Sequence, residues 1–263
     1  MKRSMGLLAA LAAGSMAAHA DVTVNTTTSG KALINVSGDG VNLIKGHKMR
    51  SDTMVGSHAV SLIVDIDNKQ FVEIDDKKKT VTVTPLASIA GNLEKIGTGA
   101  LEANLTKTSQ TKQVAGLPCT VHDISVKIPF SPTGHSGDGM DMVMALSGTV
   151  CLSTAAPGLA DYQAYYRAAA DSGFIFANPA STKSPAGAAS AKAYAALTNK
   201  MAAAGMALES HVQISASGSN PMAGIFSKLA SGDITTTVTK IEPGEVAADK
   251  FEIPASYKVK TAK

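Results

Sequence analysis

The sequence predicts an α+β protein built on a curved antiparallel sheet that helices cover, and three observations carry that reading. Three short runs at 59–65, 71–75 and 80–84 alternate in side-chain character and are separated by polar turns, as in a β-meander. Two stretches at 159–170 and 190–204, rich in alanine, place apolar residues at helical spacing. Further strand-like runs stand at 118–128, 140–151, 208–215 and 233–241, each bounded by Gly, Pro or Ser.

The chain opens with Lys2 and Arg3, continues through an apolar run at 5–13 and reaches Ala18-His19-Ala20 before Asp21. A charged start, a short greasy middle and an A-x-A end read as a secretory signal peptide over 1–20, cleaved after Ala20, so the mature chain is expected in a periplasm. The apolar run is shorter than the roughly 20 residues a bilayer-spanning helix needs. No cysteine stands at the cleavage site to take an acyl anchor, and no later apolar run predicts a transmembrane span in the mature chain.

Residues 21–263 are expected to form a single β-rich domain with an alanine-rich helical region at about 157–207. Of 24 basic side chains, Lys2 and Arg3 belong to the leader, which leaves 22 against 21 acidic ones. Such a balance gives no footprint for nucleic acid. With no tryptophan, five tyrosines and six phenylalanines, platforms for stacking bases or sugars are scarce as well.

In chain order, strands are expected at 21–25 and 32–36, with the threonine run Thr26-Thr27-Thr28 and Ser29-Gly30 as a turn, and Gly38-Asp39-Gly40 as the next. Residues 41–45 lead into the meander through the polar opening Lys48-Met49-Arg50-Ser51-Asp52. Alternation allows each run of the meander one branched apolar row: Val60, Leu62 and Val64, then Val72 and Ile74, then Val81 and Val83. Pro85 ends it, and Leu86, Ile89, Leu93 and Ile96 stripe a short helix whose natural partner is the sheet.

Residues 101–114 read as an exposed strand turning at Ala115-Gly116. The strand at 118–128 puts His122 on the face of Ile124, Val126 and Ile128, where a histidine is usually a core residue and less often a ligand. Residues 129–139 form a loop, and the strand after it carries Met140, Met142, Met144, Leu146 and Val150 on one face. Leu159, Tyr162, Tyr166 and Ala169 stripe the first helix, a small-residue linker spans 178–189, and Tyr194, Leu197 and Met201 stripe the second, with Gly205 near its end. Strands at 208–215 and 233–241 follow, joined by a segment with a helical turn at 222–229. Two cysteines in an oxidising compartment favour a Cys119–Cys151 disulfide over a redox or metal pair, which would want closer spacing.

Three passages resemble one family: Lys48-Met49-Arg50 ahead of Ile63-Val64-Asp65-Ile66-Asp67, Thr111 to Val121 around Leu117-Pro118-Cys119, and the closing Phe251-Glu252-Ile253-Pro254-Ala255-Ser256-Tyr257. The chain is similar to exported bacterial domains of unknown function related to the lipoprotein-localisation factors (LolA/LolB-like). That resemblance implies a half-open β-barrel wrapped around helices, an apolar cavity for acyl chains, and no catalytic residues. The tryptophan such domains often carry near the second cysteine is missing, and the alanine-rich region is long.

Chemistry is nearly silent. There is no G-x-S-x-G elbow, and His47, His58, His122, His135 and His211 stand in separate segments. Asp65 and Asp67 begin a calcium-loop pattern that Lys69 breaks, and Gly134-His135-Ser136-Gly137-Asp138-Gly139 lacks the lysine of a phosphate loop. Met140, Met142 and Met144 would suit Cu(I), but methionines more commonly fill an adaptable core. The expectation is therefore a non-enzymatic periplasmic carrier without cofactor or metal, enclosing a lipid or acylated ligand, with Val60, Leu62, Val64, Val72, Ile74, Val81, Val83, Met142 and Met144 as lining. An envelope interaction module with a self-filled core and a protein partner is the alternative, and copper handling the third.

Overall fold

β-branched and aromatic residues fill the segments between polar turns, and twelve of those segments pair into one sheet. The computed structural model describes residues 21–31, 35–55, 58–89, 102–130, 142–174, 185–218 and 232–262. The strands are β1 (Val22–Lys31), β2 (Asn35–Lys45), β3 (Lys48–Val55), β4 (His58–Asp65), β5 (Gln70–Asp75), β6 (Thr80–Pro85), β7 (Glu102–Val114), β8 (Leu117–Phe130), β9 (Met142–Ser153), β10 (Met206–Gly218), β11 (Gly232–Pro243) and β12 (Lys258–Thr261). Helices α1 (Leu159–Asp171) and α2 (Pro185–Ala204) stand between β9 and β10. The strand order is β12-β6-β5-β4-β3-β2-β1-β11-β10-β9-β8-β7. Neighbours run antiparallel except β12, which lies parallel to β6, so the sheet is open and mixed, with β7 and β12 at its edges.

Two expected turns are strand. The threonine run continues β1, with Thr26, Thr27 and Thr28 opposite Gly40, Asp39 and Gly38 of β2. Threonine is β-branched and favours a pleated surface, which outweighs its turn chemistry here. The glycines are matched to those threonines: a Cβ on Gly40 would stand 2.9 Å from Thr26 Oγ1. The linker expected at 178–189 is helical from Pro185, a residue suited to the first helical position because its missing N–H has no intrahelical partner there. The helix expected after Pro85 is seen over 86–89, and its remainder, the signal peptide expected over 1–20 and the helical turn expected at 222–229 lie outside the described residues.

The meander's register comes from two sister turns. Asp65 Oδ1 accepts from Asn68 N at 3.1 Å, and Asp75 Oδ1 accepts from Lys78 N at 2.9 Å. Each turn closes on a lysine with positive φ, Lys69 at 50° and Lys79 at 49°. The pairing that results sets Val64 opposite Phe71, and Ile63 opposite Val72. The meander consequently has two apolar faces and not the one expected. On the inner side Val64 and Phe71 join Val22, Ile44, Met49, Tyr165 and Phe174 in the main core, while on the outer side Ile63, Val72, Ile74 and Val81 make a core of their own.

Each face has its cover. The alanine-rich helices lie on the inner one: α2 packs along β7 and β8, and α1 against α2 and β2. Alanines 191, 193, 195 and 202 of α2 are buried, so the helix sits close to its neighbours. Gln163 Nε2 donates to Ala202 O at 2.9 Å, and Lys200 Nζ to Ala103 O at 2.5 Å. The outer face is closed by the C-terminal strap, in which Phe251, Ile253 and Tyr257 pack on the outer core and Lys258 N donates to Lys79 O at 2.9 Å. The disulfide is present, Cys119 of β8 to Cys151 of β9 with S–S 2.04 Å. Closing 32 residues contributes roughly 3.5 kcal/mol in the chain-entropy account.

Asp65 is 4% exposed and lies 3.1 Å from Lys48 Nζ. Burial raises its carboxyl, but hydrogen bonds from Asn68 and the Lys48 ammonium outweigh that and hold it below its ordinary 3.8. A carboxyl held down in the fold adds stability that is whole above the unfolded value and is lost as pH falls through the folded one. Asp65→Asn is expected to cost about 1–2 kcal/mol near pH 7 and to flatten the loss of urea resistance as the pH falls below about 4. Equal acid slopes for the two proteins would contradict this. In the strap, Ile253→Asp is expected to cost about 2 kcal/mol or more by placing a carboxylate over the outer core, whereas Met54→Asp, at a site 47% exposed, changes the urea midpoint little.

Candidate functional site

Alternation along β1 sends Val22, Val24, Thr26 and Thr28 to the inner face, and pairing carries that face onward through Ile44 and Asn42 of β2 to Met49 of β3. On the other side of β1, Thr28 and Thr26 meet Thr236 and Val238 of β11, and from there the face passes to Ser210 of β10 and Val150 of β9. Above this floor stand Tyr162 and Tyr166 of α1, and Tyr194, Thr198 and Met201 of α2. Residues spaced by three or four along a helix share a face, so each helix presents a row. Floor and roof bound a partly open cavity of about 200 Å³.

The roof is aromatic and neutral. The Tyr162 and Tyr166 rings lie 4.6 Å apart, and the Tyr166 hydroxyl donates to Met49 Sδ at 3.8 Å. Burial pushes the Tyr162 hydroxyl up to about 12 and raises that of Tyr166 well above the ordinary value, so both stay protonated at neutral pH. Among the described lining residues the sole charged one is Glu209, and its carboxylate is paired with Lys112 across the sheet. Thr198 is 6% exposed, and its hydroxyl has no protein partner among the described residues.

The nine residues expected to line a cavity do not form one surface. Val60, Leu62 and Val64 lie on the inner face, in register with Thr53, Ser51 and Met49. Val72, Ile74 and Val81 lie on the outer face under the strap, with Val83 packed against them. Met144 packs in the cluster beneath α2; Met142 pairs through its backbone with Phe130, and its side chain is outside the described residues, as is Met140. None of the eight whose side chains are described is among the residues bordering the cavity described above. Its floor is drawn from β1–β3 and β9–β11, strands far apart in the chain, and no local pattern announces that they meet. Spacing does mark the tyrosine rows.

The histidines separate too. His122 is buried, its Nδ1–H donating to Thr120 O at 3.0 Å, which makes it a core residue. His47 and His211 pair at the surface with Asp67 and Asp233, at 2.8 and 2.7 Å. Among the described residues no group of three or more His, Cys, Asp or Glu is placed to hold a metal. Two of the three passages behind the family resemblance, the first and the last, meet on the outer face: Arg50 donates to Lys250 O at 2.6 Å, to Asp52 Oδ1 at 2.7 Å and to Ser61 Oγ at 3.0 Å, which ties the strap to β3 and β4, whereas Thr111 to Val121 lies on β7 and β8. Beside this tie an open groove runs between Val41 and Leu43 of β2 and Ile253 and Pro254 of the strap.

Neither a protein-family model nor a curated protein matches the sequence. Among solved structures, the chain is similar to an uncharacterized conserved protein from Thermus thermophilus, with TM-score 0.37 and 7% identity over 93% of this chain and 92% of that one. It is similar also to a domain described as an outer membrane lipoprotein-sorting one from Vibrio parahaemolyticus, with TM-score 0.30 and 8% identity over 89% of each. A LolA superfamily protein from Nitrosomonas europaea aligns at TM-score 0.26 and 7% identity, over 89% of this chain and 91% of that one. The last two bear the lipoprotein-sorting and LolA descriptions that the sequence motifs resemble. With TM-scores below 0.5 these likenesses carry no argument, so the site is read from its own geometry.

Thr198→Val replaces the buried hydroxyl by a methyl of nearly the same shape. It is expected to leave stability unchanged or raise it by up to about 1 kcal/mol, measured as a urea midpoint. A loss beyond that would mean the hydroxyl has a partner in solution.

Proposed function

We propose that the chain is a non-enzymatic periplasmic binding protein of LolA-like type, in which the inner sheet face and two helices act as a half-open barrel around a small apolar guest. The observation that supports it most is the cavity between α1, α2 and the floor strands, lined by valines, isoleucine, methionines and tyrosines. The disulfide accords with an oxidising compartment. Size bounds the guest. Drug-sized ligands occupy roughly 300–1,000 Å³, whereas an apolar cavity of about 150 Å³ takes benzene, so a cavity of about 200 Å³ suits roughly eight heavy atoms. A guest of seven methylenes gains about 6 kcal/mol before ordering costs. Carriage of a full lipoprotein acyl group requires α1 and α2 to move off the sheet.

The same volume favours a second reading, an envelope interaction module whose interior is filled by its own helices, since most of the inner face is already covered by core contacts. Native mass spectrometry of the exported protein, followed by lipid extraction, separates the two. A carrier is expected to leave with an adduct of small mass or an extractable acyl species, and Ser210→Phe, which fills the cavity from its floor, is expected to abolish that adduct while keeping the urea midpoint within about 1 kcal/mol. A clean apo mass for the wild-type protein, together with a protein partner recovered by crosslinking, would overturn the carrier reading.

A further inference from the structure

A second pocket lies beyond the last turn of α2, and its lining differs in kind from that of the cavity under the tyrosines. We infer that it binds a free oxyanion that keeps one hydrogen, hydrogen phosphate being the compact case. The inference stands apart from the carrier reading above.

Three observations carry it. First, the pocket opens beside Ala204 with a volume of about 310 Å³, and its polar residues are Lys107, Thr111, Thr120, His122 and Thr154, with no aspartate or glutamate among the described lining residues. Pairing sets Lys107 opposite His122, and His122 opposite Val150, so both stand on the inner face. Asp123, the next residue along β8, points to the other face. Second, His122 is 7% exposed and has a free nitrogen. Its Nδ1–H donates to Thr120 O at 3.0 Å, while Nε2 has no hydrogen-bond partner among the described residues. With the hydrogen of the neutral ring on Nδ1, Nε2 is an acceptor, and a largely buried acceptor without a partner is costly. Third, a bulge in β7 builds the donor side. Residues 108–110 face Val121 alone, and Thr108 Oγ1 holds the bulge by donating to Val121 O at 2.7 Å and accepting from Gln110 N at 3.1 Å. The strand resumes with Thr111 opposite Thr120, which puts Thr111 on the same face as Lys107. The Lys107 ammonium has no partner among the described residues.

An ammonium and hydroxyls that donate, beside an imidazole nitrogen that accepts, want a ligand with negative oxygens and one O–H. Hydrogen phosphate has both. Sulfate is fully ionised and turns a lone pair toward Nε2, as does a phosphodiester, so the chemistry favours free phosphate over a phosphodiester headgroup. The negative end of α2 is dampened, because Met201 O accepts from Gly205 N and Ala202 O from Gln163 Nε2, each at 2.9 Å.

The test titrates the full exported chain at pH 8 with phosphate, sulfate and dimethyl phosphate at matched ionic strength, followed by the NMR signals of the Thr111, Thr120 and Thr154 methyls and the His122 ring. Phosphate is expected to shift these signals saturably and to bind about tenfold or more tightly than either of the others. Lys107→Met, at an exposed position, is expected to weaken phosphate about three- to tenfold with the urea midpoint unmoved. His122→Phe is expected to remove the preference for phosphate over sulfate. Sulfate or dimethyl phosphate binding as tightly as phosphate in the wild-type protein would overturn the inference, as would the absence of saturable phosphate shifts or an unchanged phosphate affinity in Lys107→Met. Each of these results leaves the carrier reading intact, since that reading concerns the other cavity.

Discussion

Ile63 and Val64 are consecutive residues of one strand, they point to opposite sides of the sheet, and both are buried. A sheet that is greasy on both sides has to be covered on both, since neither face can be left against water. Much of the rest of the structure answers that constraint. The helices between β9 and β10 cover one side, and the last residues of the chain return to cover the other.

The two covers differ in kind, and the difference decides where the interior is left open. The strap is short and sits directly on the outer core, with Phe251, Ile253 and Tyr257 against Ile63, Val72 and Val81, and Arg50 holding its start. Tyr257 adds a hydroxyl hydrogen bond to Asp76 Oδ1 at 2.9 Å. The helical cover mixes small and large residues. Alanines let α2 approach β7 and β8 closely, while the tyrosines stand between the helices and the floor strands and hold that part of the roof away from the sheet. Where an aromatic roof passes over a floor of valine, serine and threonine, packing leaves a gap. Gly158, which enters α1 with φ 71°, sets the height of that roof at one end, because a Cβ there would stand 2.7 Å from Val22 Cγ2.

How much of this was legible in the sequence follows from how local each signal is. The meander was readable because its turns are short and chemically marked by Asp65 and Asp75, and both helices were readable from the spacing of their apolar residues. The disulfide followed from an even cysteine count. Thr26, Thr27 and Thr28 misled because threonine serves turns and strands alike, and only the facing Gly38 and Gly40 settle the matter. Lys258–Thr261 was missed as a strand because it is exposed throughout and owes its state to β6 beside it. Lining residues were harder still. Alternation shows that Val60, Leu62 and Val64 share a face, and that Val72 and Ile74 share one, but whether those are the same face depends on register across a turn. A shift of one residue exchanges the faces.

The account stands on a partition: a hollow on the helical side of the sheet, and on the strap side a filled core of Ile63, Val72, Ile74 and Val81 with an open groove beside it. Methyl-resolved NMR under xenon pressure examines it directly, because xenon enters dry apolar cavities and shifts the methyls that line them. Shifts are predicted for Val24, Ile44, Val150 and Val238, with Ile63, Val72, Ile74 and Val81 unmoved. Shifts confined to the second set, or no shifts at all, would contradict it.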